Sequence, residues 1–312
     1  MDAFNHQRSW RREPVAPEPY GAASIGSEYG DFHARTNVTK QSKPGAASEE
    51  QFLEEMSHAL AGWSDPAAHL RDALQKDALQ LYCQPILTLK SGQFEIAEVL
   101  VRLREEETAL LPPGEFLPVY EHFRMMPDLD RWVARHVIDR LCKGSRIGRF
   151  SINISGQTLA DLDFPGFVAD ELKSAGVPAA ALLFEIDESD VLQQPSVAES
   201  FASAMKAVGC GLLIDSFARR SVSFAPLKTL HVDFVKVDGS IVRNILKNPV
   251  TMTKLNAVLR VGEVIGVEVI AECVEEQDIL LRLKALGVGY AQGFGIYQPH
   301  AIEKVAPQVL SG

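Results

Sequence analysis

Seven short apolar runs recur along the chain, and each ends, or nearly ends, on a polar residue suited to holding a metal or moving a proton: Glu98, Asn153, Glu185, Asp215, Lys236 with Asp238, Glu272 and Gln292. A few consecutive apolar residues between turn signals suit a strand buried on both faces. Helical patterns lie between these runs. Alternating strands and helices predict an α/β chain folded as a modified TIM-type (β/α)8 barrel, in which an active site gathers at the carboxyl ends of the strands. An earlier run over residues 81–89 is joined to residues 94–103 by the short Ser91-Gly92 turn. So short a connection predicts that these two strands pair antiparallel.

The pattern changes toward the amino terminus. Residues 1–47 are rich in Ser, Gly, Pro, Ala and charge, without periodic apolar positions, so burial cannot offset the entropy of ordering and a disordered tail is expected. Residues 48–65 read as an amphipathic helix and linker, with Phe52, Met56, Leu60 and Trp63 on one stripe. That stripe needs a surface, either the barrel or a partner such as a second subunit. A second helix is expected over residues 66–77, leading into a catalytic-type domain over residues 66–312.

A hydrophobic fraction of 46% over 312 residues is ample for a large core. The formal net charge of −10 argues against unassisted binding of a nucleic acid polymer, which requires Lys and Arg to neutralise phosphates. An anionic ligand would need cations brought with it. No segment reaches the roughly 20 apolar residues of a membrane span, and the first residues carry no signal-peptide run; a cytoplasmic protein is expected. Cys83, Cys142, Cys210 and Cys273 stand singly, without paired metal or redox spacing, and read as reduced thiols.

Several motifs together resemble the EAL domain family, which binds and hydrolyses the bacterial second messenger cyclic di-GMP. They are Gln84-Pro85-Ile86; Ala97-Glu98-Val99-Leu100 with Arg102, where the family reads Glu-Ala-Leu-Leu-Arg; Asp130-Arg131-Trp132-Val133; and Ser151-Ile152-Asn153-Ile154-Ser155. They continue through Phe184-Glu185-Ile186-Asp187-Glu188-Ser189, Val235-Lys236-Val237-Asp238-Gly239-Ser240, Ala271-Glu272-Cys273-Val274-Glu275 and Gln292-Gly293-Phe294. Each is weak alone; their ordered succession is specific. The resemblance implies a barrel with one reversed strand and a two-metal phosphodiesterase site, with ions about 4 Å apart. Oxygen ligands of this kind suit Mg²⁺ or Mn²⁺. It implies Glu98, Asn153, Glu185 and Asp215 as ligands of the first metal. Lys236 would orient the attacking water, and Glu272 would serve the second metal or act as base. Asp238 and Glu275 would complete the catalytic wall with Gln292, while Arg102, Gln84 and Gln292 would face the ligand and Glu188 would steady the loop after Asp215.

Structural readings compete with these. Glu98 would pair with Arg102, Asn153 would bond a turn, Gln292 would cap a strand end, and Lys236 with Asp238 would form an internal ion pair. Such pairs do not ordinarily fall at successive strand ends in one family's order.

One loop departs from the family pattern. Where active members carry Asp-Asp-Phe-Gly-Thr-Gly or Asp-Asp-Phe-Gly-Ser-Gly, this chain has Asp215-Ser216-Phe217-Ala218-Arg219-Arg220. Ser216 is a poor substitute for a carboxylate on a hard divalent ion. Ala218 and Arg220 replace glycines whose backbone angles side chains resist, so another loop shape is expected, with Glu188 paired to Arg219 or Arg220. Two functions follow: a cyclic di-GMP phosphodiesterase of reduced activity yielding linear pGpG, or a catalytically silent receptor or scaffold that acts through protein contacts. An unrelated barrel enzyme acting on sugars, with Glu185 and Glu272 as its carboxylate pair, fits only the generic barrel.

Overall fold

The computed structural model describes Trp63 and residues 65–76, 78–104 and 110–304. The expected tail over residues 1–47 and the expected helix, up to Trp63, lie outside the described residues. Ten strands occur in chain order: β1 Leu79–Thr88, β2 Phe94–Arg104, β3 Leu110–Leu111, β4 Arg149–Ile154, β5 Leu182–Asp187, β6 Gly211–Phe217, β7 Phe234–Val237, β8 Glu268–Ala271, β9 Tyr290–Ala291 and β10 His300–Ala301.

Eight of them close a barrel, β1–β2–β4–β5–β6–β7–β8–β9 and back to β1. From β2 round to β9 every neighbour is parallel, while β1 runs antiparallel to both β2 and β9. The single reversed strand is therefore β1, and the turn at Gly92 (φ 71°) makes it so. Two strands escape the sequence pattern: β3 and β10, each of two residues, which extend β2 and β1 at the barrel margin. Segments so short carry no periodicity.

The parallel strands read as continuous apolar runs because both faces are covered. All seven residues of β6 are buried. Outward-facing side chains pack beneath the helices Met126–Cys142, Phe164–Ala175 and Pro195–Val208 in the main core. The helix Pro66–Gln75 begins where Asp65 accepts the Ala68 N–H at 2.9 Å, and it leads into β1.

The barrel interior has a second, smaller apolar cluster: Ile86, Ile96, Leu183, Leu213, Phe234 and Ile270, with Tyr290 packed against it. Room for this tier depends on Gly211, where a Cβ would collide with Leu183 Cδ2. Side chains two apart on a strand share a face. Two residues beyond each of these apolar residues therefore lies a second inward tier: Glu98, Glu185, Asp215, Lys236, Glu272 and Gln292. On the reversed β1 the same offset runs backward, from Ile86 to Gln84. The apolar tier is a floor, and the charged tier stands on it.

Leu213 is fully buried in that floor, whereas Leu162 is 86% exposed. Leu213→Ala should cost about 2–5 kcal/mol, read as a lower midpoint in urea followed by circular dichroism. Leu162→Ala should leave the midpoint nearly unchanged. Equal effects would contradict the two-tier interior.

Candidate active site at the barrel mouth

Lys236 lies at the centre of the charged tier, its side chain wholly shielded from solvent. Its Nζ stands 2.5 Å from Glu185 Oε2, 2.9 Å from Glu98 Oε2 and 4.0 Å from Glu272 Oε1. Asp215 acts on the same ammonium through its charge. Glu98 is the best satisfied of the carboxylates. Its Oε1 accepts from Asn153 Nδ2 at 3.0 Å, and its Oε2 also accepts from Gln292 Nε2 at 2.7 Å. Gln292 Nε2 reaches Gln84 Oε1 at 3.1 Å, and Gln84 Nε2 donates to the Tyr297 carbonyl at 2.9 Å. This chain of amides ties β1, β2 and β9 together around one carboxylate. By contrast, Glu185 Oε1 and Glu272 Oε2 are buried and accept no hydrogen bond.

The charges follow from these partners. Burial works to raise the Glu98 carboxyl, but the Lys236 ammonium and the Asn153 amide outweigh it and hold Glu98 below the usual range. Glu185 shares the ammonium, yet burial pushes it up to about 8, aided by the charges of Glu98 and Asp215. The difference is that Glu98 accepts two further hydrogen bonds, whereas Glu185 Oε1 accepts none. Burial, then the Asp215 charge, lifts Glu272 well above the ordinary value. Burial opposes the Lys236 charge, but Glu185, Glu98, Asp215 and Glu272 overcome it and raise its pKa well above the ordinary value.

Supporting contacts fix the loops that carry these groups. Asp130 Oδ2, on the helix Met126–Cys142, accepts from Ser155 N at 3.1 Å, Ser155 Oγ at 2.9 Å and Thr158 Oγ1 at 2.6 Å. It braces the chain just after Asn153. Burial nevertheless raises the Asp130 carboxyl to about 6.

The loop after Asp215 differs from its expected shape. Ala218 keeps a left-handed backbone (φ 64°), as does Ser216 (φ 56°), so loss of glycine has not removed that angle at Ala218. Such a conformation costs roughly 1–2 kcal/mol per non-glycine residue. The Glu188 carboxylate receives the loop backbone, accepting the Ala218 N–H at 3.1 Å. Arg219 turns elsewhere: its Nε donates to Asp238 Oδ2 at 2.6 Å and its Nη2 to Ser216 Oγ at 3.1 Å. Of the two arginines expected beside Glu188, Arg219 is hydrogen-bonded to Asp238, and Glu188 holds the loop through its backbone. The Lys236–Asp238 and Glu98–Arg102 pairings are replaced as well, since Lys236 reaches Glu98 and Glu185, and Asp238 reaches Arg219.

The structure brings Gln84, Glu98, Asn153, Glu185, Asp215, Lys236, Glu272 and Gln292 together. Asp238 sits one step aside, and its Oδ1 caps the following turn by accepting from Ser240 N at 2.9 Å. Arg102 is buried, with its guanidinium 5.5 Å over the Tyr82 ring and Nη1 donating to the Val101 carbonyl. Glu275 is exposed on the segment after β8. Sequence reasoning missed Arg219 as a partner of Asp238, because no spacing links residues on different strands.

Among the described residues, no three His, Cys, Asp or Glu side chains converge ready to hold a metal ion. Lys236 draws the carboxylates toward its own nitrogen. The donor set nevertheless fits a hard divalent ion: four carboxylates face one ammonium, and buried carboxylate oxygens, among them Glu185 Oε1 and Glu272 Oε2, have no hydrogen-bond partner.

The barrel with one reversed strand and its ring of carboxylates around a lysine define an α/β-barrel protein with a candidate site at its mouth. The EAL domain model matches residues 67–299, and the chain belongs to the EAL domain family. Cyclic di-GMP phosphodiesterase PdeB of Shewanella oneidensis is 30% identical over 246 residues, covering 78% of this chain and 29% of that protein. Cyclic di-GMP phosphodiesterase PdeF of Escherichia coli is 30% identical over 236 residues, covering 75% and 31%. The chain thus spans under a third of the length of these two relatives. The FimX EAL domain of Pseudomonas aeruginosa, solved bound to cyclic di-GMP, superposes with a TM-score of 0.72 at 27% identity, over 77% of this chain and 98% of that one. The FimX EAL domain of Xanthomonas citri shares the fold at 24% identity and a TM-score of 0.69, over 82% and 97%. No helix among the described residues is long and apolar enough to cross a membrane.

Glu185 at about 8, Glu188 at about 7, where burial is again the main cause, and Asp130 at about 6 all lie above unfolded carboxylate values. The native state therefore holds protons that the unfolded chain has released by about pH 5, and stability should fall as pH rises from about 5 to 8. Glu98 and Asp238 are shifted downward, so their contribution is lost only at lower pH. Lys236 stays charged throughout this window. Urea midpoints of chelator-treated protein should decline between pH 5 and 8. A flat or rising series would contradict these assignments.

Proposed function

We propose that this chain binds cyclic di-GMP over the charged tier at the barrel mouth and opens it to linear pGpG at a rate reduced by the altered loop. One observation carries the reading: Glu98, Glu185, Asp215, Lys236, Glu272 and Gln292 occupy a single inward tier at the strand ends, above an apolar floor that leaves the mouth as their one approach. In the proposed reaction water adds to phosphorus, one ring P–O bond breaks, and the leaving sugar oxygen takes up a proton. Lys236 orients the water, and Glu272, in its ionised form, receives its proton. Arg102, Gln84 and Gln292 contact the nucleotide.

A divalent ion, Mg²⁺ or Mn²⁺, held by Glu98, Asn153, Glu185 and Asp215, supplies Lewis-acid neutralisation of the charge that develops on the phosphodiester. The surplus of buried carboxylates over ammonium in the tier supports such an ion. An anionic dinucleotide also cannot sit over that surplus without added positive charge.

A second reading, a receptor without chemistry that acts through protein contacts, is favoured by Ser216, which offers a neutral hydroxyl where the family pattern has a carboxylate, and by the closed Arg219–Asp238 pair. The same protein preparation separates the two. Labelled cyclic di-GMP should bind, and in Mn²⁺ it should be cut more slowly than about 1 per second, the lower end of ordinary enzyme turnover. Glu98→Ala should abolish the metal-dependent cleavage while the circular dichroism spectrum is kept. Binding with no cleavage at all would support the receptor reading, and absence of binding would sink the phosphodiesterase reading and leave only a scaffold acting through protein contacts.

A further inference from the structure

The carboxylates at the mouth divide between two cations that belong to the chain. Lys236 holds Glu98 and Glu185. Arg219 holds Asp238, and this second pair is largely shielded, with side-chain exposures of 23% and 6%. Both Asp238 oxygens are committed. Oδ1 accepts from Ser240 N at 2.9 Å and Ser240 Oγ at 2.5 Å, and Oδ2 accepts from Arg219 Nε at 2.6 Å. The guanidinium also reaches inward. Its Nη2 donates to Ser216 Oγ at 3.1 Å, and that hydroxyl donates to Asp215 Oδ2 at 3.3 Å. The left-handed residues Ser216 and Ala218 bracket Phe217 and set the direction from which Arg219 returns over the rim.

We propose that Arg219 is a resident cation on the Asp238 side of the mouth, so that the site takes one divalent ion per chain and not two. The proposal rests on the metal-binding reading above and deepens it by assigning the number of ions and the residue that limits it. Both Asp238 oxygens already accept hydrogen bonds, Oδ2 from the guanidinium itself, and Ser216 offers a neutral hydroxyl. A dication placed beside a shielded guanidinium is repelled at short range and gains no carboxylate in return. Arg219 is on this account a positioning residue: it fixes the charge balance of the mouth without touching the reacting phosphorus.

The test counts ions and does not depend on turnover. Mn²⁺ titrated into the full chain and followed by electron paramagnetic resonance reports bound ions per chain, and a pair of ions close together gives an exchange-coupled spectrum. The native protein should bind one Mn²⁺ with an uncoupled spectrum, and Arg219→Lys, which keeps the positive charge, should do the same. The double variant Ser216→Asp with Arg219→Gln, which restores one carboxylate and releases another, should bind two and show coupling. Two ions in the native protein, or only one in the double variant, would overturn the assignment of Arg219 while leaving the metal site in place. No bound ion in the native protein would overturn the metal-binding reading itself, and this inference with it.

Discussion

The Lys236 ammonium reaches the inner carboxylates, at 2.5 Å from Glu185 and 2.9 Å from Glu98. Charges this deep are tolerated only when paired and hydrogen-bonded, and removing one partner of a buried pair is far costlier than the pair's net contribution to stability. The arrangement of the mouth follows from that constraint. Glu98 is kept ionised by three donors, Lys236, Asn153 and Gln292, with Gln84 accepting from Gln292 behind them. Glu185 and Glu272, left with buried oxygens that accept nothing, are pushed toward protonation. A site with surplus carboxylate and a single central cation is poised to accept further positive charge, which links its structure to the metal and nucleotide chemistry proposed for it.

The fold supports this ring by separating two kinds of interior. Ile96, Leu183, Leu213, Phe234 and Ile270 fill the lower barrel and exclude water from beneath. Their neighbours two residues on carry the charge. The strand backbone holds these side chains from below, and capped turns follow two of the strands. Asp187 caps the helix after β5, and Asp238 caps the turn after β7. Asp238 therefore serves the fold and the rim of the site at once, and its second oxygen brings in Arg219.

Much of this was legible in the sequence. The apolar runs mark the parallel strands, since a strand buried on both faces has a near-continuous hydrophobic signature, and the Ser91-Gly92 turn reveals the reversed β1. The polar residues closing those runs were visible as candidates, and strand periodicity brings Glu98, Glu185, Asp215, Lys236, Glu272 and Gln292 together. What the sequence does not encode locally is pairing. That Lys236 would hold Glu98 and Glu185 instead of Asp238, or that Arg219 would take Asp238 while Glu188 takes the Ala218 N–H, depends on barrel closure, which juxtaposes residues far apart in the chain. Ala218 shows a related limit: propensity argues against its left-handed angle, and the Glu188 hydrogen bond together with full burial holds it there.

The central claim is that one buried ammonium holds the carboxylate ring together, and a double-mutant cycle on Lys236 and Glu98, the carboxyl held ionised beside it, tests it most directly. In chelator at neutral pH, Lys236→Met should lower stability by about 3–5 kcal/mol, the cost of leaving buried charge without its partner. Adding Glu98→Gln to Lys236→Met should recover part of that loss, because one uncompensated carboxylate is gone. If Lys236→Met unfolds in urea at the native midpoint, or if Glu98→Gln adds its full cost on top, the ring is not held by that ammonium.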